Sequence, residues 1–79
     1  MEDKLKLDIA YQVVRIRKQK RLTQAVVARR MGVSPNYLMR VELGTVDDYS
    51  VGTLVSLARA LGKRLEIRFP PRPESSSGK

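Results

Sequence analysis

Two polar side chains, Asn36 and Arg40, stand four residues apart in a segment with helical periodicity. Residues at this spacing share one face of a helix. An Asn amide can pair bidentately with adenine and an Arg guanidinium with guanine, so the pair has the chemistry to read base edges in a DNA groove. The alternative is an ordinary solvated helix face, and the surrounding elements decide between the two.

Catalytic and metal-binding chemistry have little to build on in this chain, which contains no Cys and no His. General acid–base or nucleophilic work would fall to Asp, Glu, Lys, Tyr or Ser. The adjacent acids Asp47 and Asp48 lie among turn residues, and the sequence has no Gly-rich phosphate loop. A zinc site would need carboxylates alone. We therefore predict a non-enzyme without a metal or cofactor.

Positive charge is the second strong signal. Sixteen Lys and Arg against eight Asp and Glu give a net charge of +8, which favours a nucleic-acid partner. Basic residues cluster within residues 15–21, with no acid among them. The residues predicted to contact phosphates are Lys18, Lys20, Arg21 and Arg29. The alternative for each of them is a solvated surface charge.

Residues 22–44 have the signals of two short helices joined by a tight turn. Thr23 is the predicted N-cap of the first helix, and Ser34 caps the second, contacts a phosphate, or does both. Pro35 occupies the first position of the second helix, where its missing N–H costs nothing. Gly32 stands where the chain must turn sharply. The pattern is that of a helix-turn-helix, which places its second helix in the DNA major groove.

Two further helices flank this unit. Apolar residues recur at helical spacing over about 3–20, and again over about 51–61 behind a Ser50 cap. With 79 residues the chain is one domain near the lower size limit for an independent core. The predicted core residues are Val13, Ile16, Val27, Ala28, Met31, Val33, Leu38, Val41, Leu54, Leu57, Ala58 and Leu61.

The hydrophobic period changes at residues 63–69, where Leu65, Ile67 and Phe69 alternate with charged residues. This two-residue period predicts a half-buried β-strand that two prolines end. The sequence offers no second strand, so we predict that the strand pairs with its counterpart in a homodimer. The alternative is an extended tail that packs against its own helices.

The expected organisation is a helix-turn-helix DNA-binding domain at 1–62, a dimerisation strand at 63–70 and a disordered tail at 71–79. No apolar run approaches the roughly 18 residues of a transmembrane helix. The N-terminus also lacks the basic-then-apolar pattern of a signal peptide. We predict a soluble, cytoplasmic, nucleoid-associated protein without membrane contact.

Over roughly residues 9–62 the chain resembles the phage-repressor-like (Cro/C1-type, or XRE) helix-turn-helix family. The resemblance rests on Arg17, LTQ at 22–24, Ala28, GVS at 32–34, YL at 37–38, Glu42, Gly44 and the pattern TLVSLARALG. It implies an all-α, lambda-repressor-like domain of four to five helices. It also implies a transcriptional regulator that binds double-stranded DNA and represses its own operon.

The resemblance assigns roles to single residues. Pro35 matches a position that faces base edges, where it offers only apolar contact, and Tyr37 matches one near the sugar-phosphate backbone or a base edge, where its hydroxyl can bond a phosphate. Gln24 matches a residue that bonds a phosphate and buttresses the third helix. Arg17 and Glu42 match a structural ion pair between the first and third helices.

The chain departs from the family pattern at Arg21, where Gly is usual, and at Val27, Met39 and Leu43.

Its C-terminal strand further resembles the HipB-like and HigA-like antitoxins. That resemblance implies a second hypothesis, an antitoxin whose main partner is a toxin protein. A third hypothesis is an architectural protein that binds DNA without sequence preference.

Overall fold

The computed structural model describes residues 2–72 and contains four helices in this part of the chain. They are α1 (Asp3–Gln19), α2 (Gln24–Met31), α3 (Pro35–Leu43) and α4 (Val51–Ala60). The predicted all-α architecture is confirmed, and the two flanking helices agree with the predicted ranges 3–20 and 51–61 to within one residue.

Local signals in the sequence explain where three of the helices begin. The hydroxyls of Thr23, Ser34 and Ser50 each accept a hydrogen bond from the backbone N–H three residues ahead, at 3.0–3.1 Å. Each bond satisfies a donor that the first helical turn leaves without a partner. Gly32 ends α2 with φ +73°, a left-handed conformation that glycine adopts without steric cost.

The core draws on every helix, on the loop residue Val46 and on Leu61, which follows the end of α4. Its buried members are Val13, Val27, Ala28, Leu38, Val41, Val46, Leu57, Ala60 and Leu61. The third helix packs against α1 and α2, and α2 also packs against α4. Because Leu38 and Val41 are completely buried, one face of α3 is held in the core and its opposite face points outward.

The predicted core is confirmed at its centre, and the partly buried Ile16, Met31 and Val33 pack against that centre. Seven of the predicted residues are buried, whereas Ile16, Met31, Val33, Leu54 and Ala58 are only partly buried. The prediction missed Ala10 and Ala60, whose small side chains weaken the apolar pattern, and Val46, which lies among polar loop residues.

The structure contradicts the prediction of a β-strand at residues 63–70. Residues 63–72 form neither helix nor strand, and no strand elsewhere in residues 2–72 pairs with them. Leu65, Ile67 and Phe69 line an open groove of about 880 Å³ between α1 and α4. Ile67 is 58% exposed and Phe69 is 94% exposed, so this chain's own helices do not bury the segment as a packed tail. Most of the predicted disordered tail, from residue 73 onward, lies outside the described residues.

No helix within residues 2–72 has the length and apolar character that crossing a bilayer requires.

Candidate nucleic-acid interface

The outward face of α3 carries the residues predicted to read bases. Pro35, Asn36 and Arg40 are all exposed, because the helix turns Leu38 and Val41 toward the core. The guanidinium carbon of Arg40 lies 5.5 Å from the centroid of the Tyr37 ring. A cation over an aromatic face at this distance is attracted to it, so Tyr37 helps to hold Arg40 in place on the helix surface.

Tyr37 keeps its hydroxyl proton at neutral pH. Partial burial raises the pKa of Tyr37, the nearby Asp48 carboxylate raises it further, and the Arg40 charge lowers it by less. A protonated phenol can donate a hydrogen bond to a phosphate oxygen. In the loop that follows α3, burial raises the pKa of Tyr49 to about 12. Both phenols are therefore neutral hydrogen-bond donors under ordinary conditions.

The ion pair implied by the family resemblance is present. The Arg17 Nε donates to Glu42 Oε2 at 2.5 Å and its Nη2 donates to Glu42 Oε1 at 3.0 Å. The remaining nitrogen, Nη1, donates to the Leu22 carbonyl at 2.9 Å. Only 13% of the Arg17 side chain and 8% of the Glu42 side chain are exposed. A bidentate pair in such a site is short and geometrically specific.

Gln24 extends this network to the start of α2. Its Nε2 donates to Glu42 Oε1 at 2.9 Å. Burial raises the pKa of Glu42, but the hydrogen bonds from Arg17 and Gln24, together with the positive charges of Arg17 and Lys18, outweigh burial and leave that pKa below its ordinary value. The Glu42 hydrogen bond raises the pKa of Arg17. One carboxylate therefore joins α1, α2 and the last turn of α3.

The predicted phosphate-binding cations occupy two kinds of position. Lys18, Arg21 and Arg29 are exposed, whereas the Lys20 ammonium lies 3.5 Å from the Gly62 carbonyl. Sequence reasoning missed the structural use of Arg30, whose Nη1 donates to the Ala60 carbonyl at 2.9 Å. The charged ends of the Lys20 and Arg30 side chains thus both lie at the C-terminal end of α4. Carbonyl groups at the end of a helix attract cations.

Arg21 has a backbone conformation that explains the family's preference for glycine at this position. Its φ is +57°, and it is the non-glycine residue with a positive φ among residues 2–72. The preceding helix ends here, and the Arg21 N–H donates to the Lys18 carbonyl at 3.1 Å. A side chain at a left-handed position costs steric energy that glycine avoids.

Within residues 2–72, no three carboxylates, cysteines or histidines lie together in a way that could hold a metal ion. Asp47 and Asp48 lie in the loop between α3 and α4. This loop is fastened at its start, because the backbone N–H and the hydroxyl of Thr45 both donate to the Arg40 carbonyl.

Comparisons with known proteins agree with this geometry. A helix-turn-helix family model matches residues 13–67, which is more than half of the chain. A solved structure of a protein named as an XRE family transcriptional regulator is similar to this chain, with a TM-score of 0.71 and 28% sequence identity. The similarity covers 99% of this chain and 88% of that one. A search of curated proteins found no match. The chain therefore belongs to the XRE (Cro/C1-type) helix-turn-helix family, whose members are DNA-binding transcriptional regulators rather than enzymes.

Proposed function

We propose that this protein is a homodimeric, sequence-specific repressor that acts at the nucleoid by placing α3 in the major groove of a palindromic operator. One observation carries the proposal: α3 combines an exposed polar face with a completely buried apolar face. The Arg17–Glu42–Gln24 network fixes the orientation of that helix. A recognition helix needs this combination of an accessible reading face and a rigid support.

Three residues at the start and middle of α3 are proposed to contact bases. Asn36 can pair with adenine and Arg40 with guanine, each through two hydrogen bonds. Pro35 can offer its ring to a thymine methyl group. The contact between Arg40 and the Tyr37 ring restricts the guanidinium in advance, which lowers the entropy that binding must remove.

The residues around the reading face are proposed to contact the DNA backbone. The Gln24 amide nitrogen carries two N–H groups, so its bond to Glu42 leaves one N–H to donate to a phosphate. Ser34 and Tyr37 offer hydroxyl groups near the start of α3. The proposed charged contacts are Lys18, Arg21 and Arg29, with Lys20 joining them if it releases its 3.5 Å contact to Gly62.

Exposed apolar surface supports the homodimer. Val51 is 62% exposed and Val55 is 37% exposed on α4, one helical turn apart. Ile67 and Phe69 are exposed on the C-terminal segment, beside a groove partly lined by α4. Exposed apolar side chains at these two places are candidates for an interaction surface. A two-fold dimer would present two copies of α3 to two half-sites.

A dimer bound across two half-sites would repress transcription because of its position on the DNA. A protein that covers two half-sites of a promoter excludes other proteins from the same DNA. We therefore propose repression as the regulatory outcome, with the protein's own operon as one target.

The first experiment is a selection of bound sequences from random duplex DNA at physiological salt. A dimeric specific regulator should enrich an inverted repeat with half-sites about one helical turn, roughly 34 Å, apart. If no motif is enriched and binding disappears as salt rises, the attraction is only that of charge. That result would overturn the proposed function and move the search to a protein partner such as a toxin.

Arg40→Ala tests the assignment within the enriched operator. We expect a loss of about 1–3 kcal/mol in binding free energy and a relaxed preference at one base position. Arg59→Ala, which removes an exposed positive charge from α4, is the matched control and should leave the preference unchanged. Equal weakening on all sequences by Arg40→Ala would show that Arg40 contacts only phosphate.

A further inference from the structure

We propose that the C-terminal segments of two copies pair as antiparallel strands in a single register, with Ile67 opposite Ile67 at the two-fold axis. This inference rests on the proposed homodimer and adds to it the residue pairs that define the interface. The partner is a second copy of this chain, because the acidic and basic side chains within residues 64–69 of two copies can pair with each other.

The segment already has the side-chain order of a strand. The Glu66 carboxylate lies 3.0 Å from an Arg68 nitrogen and 3.4 Å from an Arg64 nitrogen. These three residues, two apart in sequence, therefore share one face. The intervening apolar side chains, Leu65, Ile67 and Phe69, contribute to the lining of the groove between α1 and α4, as do the charged residues of the segment.

The backbone of this segment has no partner strand within residues 2–72. An exposed, apolar, unpaired edge is a template for pairing with another chain. The apolar side chains are also poorly covered, since Phe69 is 94% exposed and Ile67 is 58% exposed. A second strand alongside the first would satisfy the backbone and widen the apolar ribbon above the groove.

Only a few registers keep the apolar side chains on one face. Residues directly opposite in an antiparallel pair point to the same side of the sheet. A two-fold axis placed between two residues would therefore set apolar side chains opposite charged ones. The axis must pass through a residue.

Charge selects among the remaining registers. An axis at Glu66 sets two carboxylates opposite each other and Arg64 opposite Arg68. An axis at Arg68 sets two guanidinium groups opposite each other. Like charges directly across a pair of strands are destabilising, so both registers are disfavoured.

Within residues 64–69, two registers place Glu66 opposite an arginine. An axis at Leu65 pairs Glu66 with Arg64 of the second copy, but leaves Phe69 beyond the paired strands. An axis at Ile67 pairs Glu66 with Arg68 of the second copy twice, and pairs Leu65 with Phe69 twice. Only this last register joins opposite charges and also uses every apolar side chain of the segment.

The prolines agree with an axis at Ile67. In this register Pro70 lies opposite Arg64, at a position that exchanges no hydrogen bonds when the Ile67 pair is a hydrogen-bonded one. Proline is tolerated there because its missing N–H would point away from the partner. The next position, Pro71, would have to donate, so the paired region ends.

Charge exchange is the direct test, with the dimer dissociation constant measured by sedimentation. Glu66→Arg and Arg68→Glu should each weaken the dimer by roughly tenfold, and the double variant should recover most of that loss. All three side chains in the ion pairs of this segment are exposed, so the fold should survive, and circular dichroism checks this.

The other registers give different results. With the axis at Leu65, Arg68→Glu would have little effect and the double variant would stay weak. With the axis at Glu66, Arg68→Glu would strengthen the dimer by pairing with Arg64. Either result would overturn the proposed register. A wild type that remains monomeric at every concentration would instead overturn the homodimer itself.

Cysteine substitution gives a second readout, because the natural chain contains no cysteine. Ile67→Cys should form a disulfide-linked dimer on mild oxidation, since opposite Cα atoms lie about 5.5 Å apart. The matched control, Leu65→Cys, is on the same face but its two copies would be about 13 Å apart. Faster linkage at residue 65 than at residue 67 would contradict the register.

Discussion

Glu42 accepts hydrogen bonds from two different helices, through Arg17 of α1 and Gln24 of α2. Because Glu42 lies in the last turn of α3, it is the residue through which α1 and α2 hold the proposed DNA-reading helix. Removing one partner of a nearly buried ion pair leaves the other charge unpaired, which costs about 3–5 kcal/mol. The Arg17–Glu42 pair therefore contributes by holding α3 in position, a role that requires no contact with DNA.

The lowered pKa of Glu42 predicts a pH dependence of stability. Because this pKa lies below its ordinary value of 4.5, the ionised carboxylate stabilises the fold above that pH. The contribution is lost as pH falls through the lower pKa of the folded state. In urea unfolding, the stability advantage of the wild type over Glu42→Gln should shrink below about pH 4.5.

Glu2→Gln is the control for this measurement, since the Glu2 side chain makes no capping hydrogen bond. Its stability should follow the wild type across the same pH range. A constant difference between wild type and Glu42→Gln from neutral pH to pH 3 would contradict the role given to Glu42.

Arg21 predicts an opposition between stability and DNA binding. Arg21→Gly should raise the free energy of unfolding by about 1 kcal/mol, because glycine adopts a positive φ without the side-chain clash. The same change should weaken operator binding and reduce the salt dependence by about one phosphate contact. Thermal unfolding and binding titrations at several salt concentrations measure both effects.

Arg21→Asn separates backbone strain from charge, since Asn tolerates the left-handed region but carries no charge. It should lose binding like Arg21→Gly and gain less stability. If Arg21→Gly binds the operator as tightly as the wild type, Arg21 does not contact the DNA backbone.

At the scale of elements, the loop between α3 and α4 is part of the core. Val46 is only 4% exposed, and the first turn of the loop is bonded to the Arg40 carbonyl. The start of the loop is therefore held against the last turn of α3. A flexible connection at this point would let α3 tilt relative to α4.

Val46→Ala should lower the free energy of unfolding by about 1–3 kcal/mol, because it leaves a cavity beneath the loop. Leu43→Ala is the control, since it removes a larger side chain from a position that is 63% exposed and should cost within about 0.5 kcal/mol. Chemical denaturation of both variants gives the comparison. Equal losses would mean that Val46 contributes no more than a surface residue.

The predicted C-terminal strand shows how an element can depend on more than one chain. The alternation that predicts it is real, since Glu66 contacts Arg64 and Arg68 on one face. A strand also needs a hydrogen-bonded neighbour, which residues 2–72 of a single copy do not supply. Periodicity therefore predicts which charged side chains share a face, while strand formation depends on a partner.

At the scale of the whole molecule, the proposed dimer predicts that oligomerisation and operator binding are coupled. Ile67→Asp should break the proposed dimer, because it sets two carboxylates against each other beside an apolar groove. Operator affinity should fall with it, since a monomer contacts one half-site. Light scattering measures the oligomer and a binding titration on the selected operator measures the affinity.

An unchanged oligomer after Ile67→Asp would contradict the intermolecular strand. An unchanged oligomer with weakened binding would place the dimer interface elsewhere, with the exposed Val51 and Val55 surface of α4 as the next candidate. The homodimer proposal itself fails if the wild type is a monomer at every concentration measured.

The sequence by itself determined the four helices and the turn between α2 and α3. Caps, glycines and apolar spacing act within one or two helical turns, so they can be read locally at Thr23, Gly32 and Ser34. The same local spacing places Asn36 and Arg40 on the exposed surface of α3, and their contact with bases stays a prediction. The link between Arg17 and Glu42 came only from the family resemblance, because no local pattern joins residues 25 positions apart.

Only the tertiary structure decided what depends on distant neighbours. It buried Val46 within a polar loop, bonded Arg30 to the end of α4 and gave Arg21 a positive φ. It also left Phe69 exposed. The physical reason is common to all four, because burial, long-range hydrogen bonds and imposed backbone conformations arise from the packing of elements that are separate in the chain.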